Sequence, residues 1–278
     1  LSRDRADALD SAVARTDPQL NTDLSPACYY MGLILWSRQL EGISSVLGGA
    51  PRFVTLASAA VIALAAVALV AAARLRRGGR SSSLRAATLT AIFVVGGTEI
   101  SLDVASIMAF QSFYGYVYGR IALMVAAFMA GLAMGGIAGA RAAARGAALG
   151  AFALQQWGIA LVPVHFAWAV ATIGAMPPEA LSAWSSFFPL LVVGSAVLAG
   201  AQFPLAASLY RTRNDEAGIV AGRLYGADLV GAAAGATLTA VFLLPILGLV
   251  HAMIALSILN LGVLVAFAVP ALSPGRAS

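Results

Sequence analysis

Residues 121–140, IALMVAAFMAGLAMGGIAGA, form a run without a single charged side chain. A helix of about 20 apolar residues is long enough to cross the hydrocarbon core of a bilayer. The whole chain is 60% hydrophobic and only 10% charged, with a mean hydropathy of +0.88. This composition lies outside the range of soluble domains, and the sequence therefore predicts an all-α, polytopic transmembrane helix bundle.

Similar apolar runs recur along the chain between charged or Pro-rich breaks. They predict about seven spans, near residues 53–73, 87–111, 117–140, 147–175, 187–210, 219–247 and 250–270.

The first 50 residues are the main polar block, and they are too few to bury an independent core. We expect residues 1–50 to be the C-terminal tail of an upstream soluble domain plus a linker, and residues 51–278 to be the transmembrane domain. The chain begins at Leu1 with no apolar run that could serve as a signal peptide. This also favours a fragment whose beginning lies upstream.

The positive charges are all arginines, and most of them cluster in every second predicted connection between spans. The clusters are Arg74, Arg76, Arg77, Arg80 and Arg85, then Arg141 and Arg145, then Arg211 and Arg213, and finally Arg276. This distribution is the positive-inside pattern of a multi-pass protein of the cell (inner or plasma) membrane, with the Arg-rich loops in the cytoplasm. It argues against a nucleic-acid surface, and it places the polar N-terminal block outside the cytoplasm.

One internal similarity indicates a repeat. VYGRIALMVAAFMAG from Val117 and VAGRLYGADLVGAAAG from Val220 both open with V-x-G-R and continue as helices rich in small residues. They lie on the third and sixth predicted spans, an odd separation that inverts their orientation in the membrane. This fits a three-plus-three inverted repeat like those of transporters, although chance similarity in an Ala/Gly-rich chain is the alternative.

Two carboxylates interrupt the second predicted span. Glu99 and Asp103 are four residues apart, so they share one face of a helix. Charge in the bilayer centre costs about 2.5–3.5 kcal/mol per residue on insertion scales, so the pair is expected to face the bundle interior or a hydrated cavity. It either binds a proton, a cation or an amine, or forms a structural polar knot closed by an internal partner. The candidate partners are Arg120, Arg223 and Gln202.

Asp228, inside the sixth predicted span, is the third acidic candidate. Its alternative is an ion pair with an arginine at the start of the helix. The glycine ladders on these spans have the small-xxx-small spacing that lets helices approach closely, which predicts packing rather than catalysis. They are Gly131, Gly135 and Gly139 on the third span and Gly231 and Gly235 on the sixth.

No enzyme motif is recognisable in this chain. There is no P-loop, HExxH motif or assembled Ser/His/Asp set. The single cysteine, Cys28, excludes an internal disulfide and a cysteine-based metal cluster. We therefore expect no cofactor, metal or catalytic residue in this chain.

Two regions resemble a known family. Residues 20–40, LNTDLSPACYYMGLILWSRQL, contain N-T-D-x-x-P followed by two tyrosines and an apolar-Trp run. They resemble the end of the aminopropyltransferase-like domain in membrane-bound spermidine synthase-like proteins. Residues 109–136, which include Gln111 in FQ-x-x-YGYVY, are similar to the membrane helices of the same family, as are AGAQFPLAASLY and GRLYGADLVGAAAGATLTAVFLLPILG.

The resemblance implies an upstream Rossmann-like synthase domain that uses decarboxylated S-adenosylmethionine. Its cofactor-binding and catalytic residues would precede Leu1, so none can be placed on this chain. We expect this chain to anchor that domain in the bilayer and to bind an amine, such as a polyamine, or another cation within the membrane. The alternatives are a secondary transporter, or half of one, and a membrane scaffold. The candidate binding residues are Glu99, Asp103, Asp228, Arg120 and Gln111.

Overall fold

The computed structural model describes residues 80–115, 118–212 and 214–272, and in these ranges it contains helices and no strand. The helices are α1 (Arg80–Tyr114), α2 (Tyr118–Ala144), α3 (Ala148–Gly174), α4 (Pro178–Leu181), α5 (Phe187–Tyr210), α6 (Ala217–Leu238) and α7 (Leu244–Leu272). Six of them are long and apolar enough to cross a membrane. The predicted all-α polytopic bundle is confirmed. The predicted span 53–73 and the polar block 1–50 lie outside the described residues.

The predicted bounds agree closely for α3 and α5 and less well elsewhere. α1 starts seven residues before the predicted span 87–111, because its first turns carry polar residues that the hydropathy pattern leaves out. The sixth predicted span, 219–247, ends four residues beyond the observed span Ala217–Leu243. Within that span, α6 ends at Leu238 and passes into a π-helical turn, Thr239–Leu243. The segment assigned as α7 is interrupted by a kink at Gly248, which has φ 71°, a backbone conformation that favours glycine. The chain reverses at this kink, and the part of α7 that can cross the membrane is Leu247–Ala268.

Two apolar clusters mark the two ends of the bundle. One contains Phe152, Tyr210, Leu224 and Phe267, and we name it the Arg-rich end because Arg85, Arg141, Arg145 and Arg211 lie on the helix ends around it. The other contains Phe110, Phe166, Phe188 and Leu249, and we name it the α4 end. Helices α1, α3 and α6 run from the Arg-rich end to the α4 end, and α2, α5 and α7 run back.

The helix contacts repeat between the two halves of the bundle. Helix α2 packs along α5 as α6 packs along α1, and α3 packs on α5 as α7 packs on α1. The halves α1–α3 and α5–α7 begin at opposite ends of the bundle. These contacts are those of an inverted three-plus-three repeat, with α1 and α5 packed against each other at its centre.

Glycines determine how closely the long helices approach. A Cβ atom added at Gly135 would collide with the backbone of Val197 on α5, and one added at Gly231 would collide with the backbone of Phe93 on α1. The glycine ladders therefore serve helix packing, as their spacing predicts. Between the halves, Gly96 on α1 corresponds to Gly200 on α5, since each rests on the backbone of its neighbouring helix.

That correspondence fixes the register of the repeat. Gly96 rests on Asp228 of α6, and Gly200 rests on Leu132 of α2, so Leu132 and Asp228 occupy equivalent positions. Aligning the two V-x-G-R motifs would instead place Leu132 opposite Gly235. The motif thus identifies the correct pair of helices but not their register.

The Arg-rich end carries an ion pair. Arg85 of α1 lies 3.3 Å from the carboxylate of Asp215, which is in the α5–α6 loop, and its guanidinium lies 4.5 Å from the centre of the Tyr210 ring. Thr212 donates to Asp215 through its hydroxyl, at 2.7 Å, and its amide, at 2.8 Å. These two hydrogen bonds, together with Arg85, lower the pKa of Asp215.

Asp215→Asn is expected to lower the melting temperature of the protein slightly at pH 7. The folded-state pKa of Asp215 is depressed, so its contribution is present above its unfolded pKa of about 3.9 and is lost as the pH falls through the lower folded value. The difference from the unsubstituted protein should therefore shrink in acid. Thermal unfolding in detergent at about pH 7 and about pH 3 measures this. Glu216→Gln, at the exposed neighbouring residue, is the control that should change neither value.

Candidate functional site

A cleft of about 480 Å³ is lined by residues of α2 and α6 and of the central pair α1 and α5. Glu99, near the middle of α1, lies in it. The side chains that give the cleft its chemistry are Glu99, Phe128, Gln202, Phe203, Tyr225 and Asp228. All four helices are long enough to span a bilayer, and Glu99, Phe128 and Asp228 each lie at least two turns from both ends of their helices.

Glu99 is buried, and no cationic side chain pairs with it among the residues that the structure describes. Its side chain is only 6% exposed, and neither carboxylate oxygen has a hydrogen-bond partner among the residues that the structure describes. Ser195 of α5 lies beside the carboxyl group, but its hydroxyl donates to the carbonyl of Val192. A buried carboxylate left without a partner is costly, so this side chain is set to receive a proton or a cation from outside the described helices.

Asp228 brings a second carboxylate into the same cleft. One of its carboxylate oxygens packs against Gly96, where an added Cβ would lie 2.5 Å from it. The absence of a side chain at Gly96 therefore makes room for the acid between α1 and α6. Arg223, the arginine at the start of α6, is exposed. Within the described ranges the only ion pair is that of Arg85 with Asp215, so no arginine in those ranges neutralises Asp228.

The other three predicted site residues lie apart from the cleft lining. Asp103 is half-buried one turn beyond Glu99, toward the α4 end, and one of its oxygens is buried without a partner in the described part of the chain. Arg120 is exposed at the start of α2, and Gln111 is half-buried near the end of α1. The cleft lining thus contains Glu99 and Asp228, whereas Asp103 lies one turn from Glu99 on the same helix and outside that lining.

A polar chain that the sequence analysis missed crosses the centre of the bundle. Asn260 of α7 donates to the hydroxyl of Thr98, at 2.8 Å, and accepts from Gln156 of α3, at 3.3 Å. Gln156 in turn accepts from Gln202 of α5, at 3.4 Å. All four residues are buried, and Gln202 also lines the cleft, so the network connects the cleft to α3 and α7.

This polar chain follows the repeat symmetry. Gln156 and Asn260 are 104 positions apart, and so are the outer members, Thr98 and Gln202. The Gln156–Asn260 hydrogen bond therefore lies on the approximate two-fold axis that relates the halves. The signal in the sequence was a constant spacing between neutral polar residues inside apolar spans.

The lining of the cleft sets what it can bind. Among the described residues no group of three His, Cys, Asp or Glu side chains could hold a metal ion. Two carboxylates amid apolar and aromatic walls are instead suited to ammonium groups, which pair with carboxylates and with the faces of aromatic rings. Comparisons with protein-family models, with curated proteins and with solved structures find no match.

Proposed function

We propose that this multi-pass membrane protein is a secondary transporter for organic amines, which it exchanges for protons at Glu99 and Asp228. The observation that carries the proposal is a pair of acidic side chains, without an internal cation among the described residues, in one cleft at the middle of an inverted repeat.

The cost of the two acids supports a functional role. Each charged side chain near the centre of a membrane helix costs about 2.5–3.5 kcal/mol on insertion scales. A purely structural acid offsets this cost by pairing with an arginine or by accepting hydrogen bonds, and neither oxygen of Glu99 does so within the described helices. A ligand that carries positive charge offsets it only while bound, as a transport cycle requires.

Proton exchange follows from the same chemistry. A protonated carboxyl group is neutral and attracts an ammonium group only weakly, so amine and proton compete for each acid. Loading the cleft with an amine from one side and with protons from the other would couple the two fluxes. An inverted repeat supports this cycle, because its halves can rock about a site at mid-membrane and open it to each side in turn.

An organic amine fits the walls better than a metal ion does. Calcium ions take six to eight oxygen ligands, whereas the described cleft offers two carboxylates and the amide of Gln202. Phe128, Phe203 and Tyr225 supply ring faces and apolar area for a hydrocarbon stem. The volume of about 480 Å³ accommodates a small amine together with water.

The sequence resemblance favours the same substrate class. Residues 20–40 resemble a spermidine synthase-like family, which acts on amines, and an upstream aminopropyltransferase-like domain would supply or consume them next to the membrane. Anchoring such a domain is compatible with transport. With the positive-inside rule, the gathering of arginines at one end of the bundle supports a location in the cell membrane with the Arg-rich end in the cytoplasm.

Uptake by purified protein in liposomes tests the proposal. Radiolabelled butylamine and 1,4-diaminobutane have the same carbon chain and differ in the second ammonium group. Because the neutral form of an amine crosses lipid and accumulates in an acidic interior without protein, uptake is measured as the excess over protein-free liposomes. We expect this excess to be driven by an outward proton gradient for at least one of the two amines, and to be abolished in the double variant Glu99→Gln, Asp228→Asn. Glu179→Gln, at an exposed acid outside the cleft, should transport normally. Uptake that ignores both the gradient and the double substitution would contradict the proposal.

A further inference from the structure

A line of polar side chains continues past the cleft toward the α4 end. Glu99, Asp103 and Ser106 follow one another at helical spacing on one face of α1, and Phe110 is the next residue on that face. Ser106 is fully buried. Neither its hydroxyl nor the buried oxygen of Asp103 has a hydrogen-bond partner in the described part of the chain.

The lack of a partner at Ser106 is unusual for this helix. A serine or threonine buried in an apolar helix commonly donates to the carbonyl four residues earlier. Thr98, Ser101 and Ser112 do so on α1, at 2.9, 2.6 and 2.9 Å. Ser106 does not, although it has the same helical backbone. Its hydroxyl therefore keeps unused hydrogen-bonding capacity within the described part of the chain.

Aromatic rings close this line at the α4 end. We name Phe110, Phe113, Tyr114 and Phe188 the aromatic gate. The Phe110 ring lies 4.9 Å from that of Tyr114 and 5.9 Å from that of Phe188 on α5, and Phe113 lies 6.3 Å from Phe188. The Tyr114 hydroxyl donates to the carbonyl of Leu181, at 2.8 Å, which ties the gate to α4.

We propose that Asp103 and Ser106 line a hydrated exit path for cations, which leads from the cleft to the α4 end and is closed in this structure by the aromatic gate. The path rests on the proposed function only for the identity of the passenger, since the same geometry would conduct any small cation or proton. Asp103 is then a waiting position one turn from Glu99 rather than part of the same binding site.

The proposed path has a polar part, at Asp103 and Ser106, and an apolar constriction, formed by the aromatic gate. Buried polar groups without protein partners are stabilised by water or by a cation, and intramembrane acids mark ion routes. An apolar constriction excludes water until it widens, so rings packed between α1 and α5 can act as a gate. Separation of Phe110 from Phe188 would connect Ser106 to the water at the α4 end.

Cysteine labelling tests the path without requiring transport. Cys28 is the only cysteine in the sequence, so Cys28→Ser gives a cysteine-free background. Ser106→Cys and Ala109→Cys are then compared in liposomes with the water-soluble, cationic reagent trimethylammonium-ethyl methanethiosulfonate. Ala109 is equally buried, lies nearer to the α4 end and sits among apolar side chains. Ala109→Cys is the matched control for transient opening of the helix bundle, which would expose Ala109 at least as readily as Ser106.

We expect Ser106→Cys to react about tenfold faster than Ala109→Cys, because only Ser106 faces the path. Adding Phe188→Ala should increase the labelling rate of Ser106→Cys further, because it opens the constriction. Asp103→Asn should slow the cationic reagent but not neutral methyl methanethiosulfonate. Asp103→Cys provides a second reporter on the path if Ser106→Cys does not fold.

Equal rates at Ser106→Cys and Ala109→Cys would overturn the path, as would no labelling of Ser106→Cys or Asp103→Cys even with Phe188→Ala. If labelling follows the expected order but the protein takes up no amine, the exit path is supported and amine transport is contradicted. If the protein takes up amine but the labelling does not follow this order, amine transport is supported and the exit path is contradicted. The two proposals can therefore fail separately.

Discussion

Gly135→Ala is expected to force α2 away from α5 and to lower the free energy of unfolding by about 3 kcal/mol, the upper part of the range for overpacked cores. The added Cβ would lie 2.9 Å from the amide nitrogen of Ala201 and closer still to the carbonyl group of Val197. Both are backbone groups of a packed helix, so the collision can be relieved only by moving a whole helix. Moving it would also separate the neighbouring contacts at Gly131 and Gly139.

Gly136→Ala is the matched control for this prediction. It lies on the same helix, and the nearest atom to its added Cβ is the carbonyl oxygen of Gly200 at 3.9 Å, an ordinary contact. Since alanine favours helix over glycine by roughly 0.5–1 kcal/mol, Gly136→Ala should be neutral or slightly stabilising. Unfolding by SDS titration or heating in detergent gives both values. A Gly135→Ala protein as stable as Gly136→Ala would show that α2 and α5 are not held at this distance.

Gly231→Ala, at the equivalent position in the second half of the bundle, tests the inverted repeat. An alanine at Gly231 would meet the carbonyl group of Phe93 on α1 as an alanine at Gly135 meets that of Val197 on α5. The two single substitutions should therefore have similar costs. Their sites are on different helix pairs, so the costs should add in the double variant.

The spans within the described ranges and the use of the glycine ladders in packing could be predicted well from the sequence, because both depend on simple physical requirements. A bilayer span needs an uninterrupted apolar run, and two helices in close contact need small residues at four-residue spacing. The end of α6 could not be predicted in this way. Residues 239–247 are as apolar as a helix interior, and the reversal there depends on a π-helical turn and on the backbone of Gly248.

The candidate site was predicted only in part. Glu99 and Asp228 were identified because acids in apolar spans are rare, but their meeting in one cleft depends on the packing of α6 on α1 at Gly96. Sharing a helix face made Glu99 and Asp103 look like one site. A rise of about 6 Å between residues four apart is enough to give them different surroundings. Arg120 is exposed at the start of α2, and its exposure depends on helix packing that the sequence alone does not show.

The polar chain between Thr98 and Gln202 shows a further limit. Asn and Gln in a membrane helix attract less notice than acids, and hydropathy alone does not show that two of them meet. The repeat spacing contains the missing information, because positions 104 apart become neighbours across the two-fold axis. Once that spacing is recognised, it can be used to design variants of the site.

Moving the carboxylate of Glu99 across the approximate two-fold axis is expected to recover part of the lost transport. Phe203 is the position 104 residues after Glu99 and lines the same cleft. Glu99→Gln should lower uptake of the better amine probe by about 100-fold, since loss of one partner from a buried charge pair costs about 2–5 kcal/mol. Adding Phe203→Glu restores a negative charge within the same cavity, and we expect it to recover about tenfold of that loss.

Phe203→Gln in the Glu99→Gln background is the control for this relocation. It makes the same position polar and opens the same space as Phe203→Glu, but it adds no charge. Initial uptake rates in liposomes, at equal amounts of correctly folded protein, separate the two effects. If Phe203→Glu recovers no more uptake than Phe203→Gln, the cleft recognises Glu99 by its position and not by its charge alone. The two halves would then differ in chemistry although they share their helix packing, and Glu99 would have to lie on the route of the amine as well as attract it.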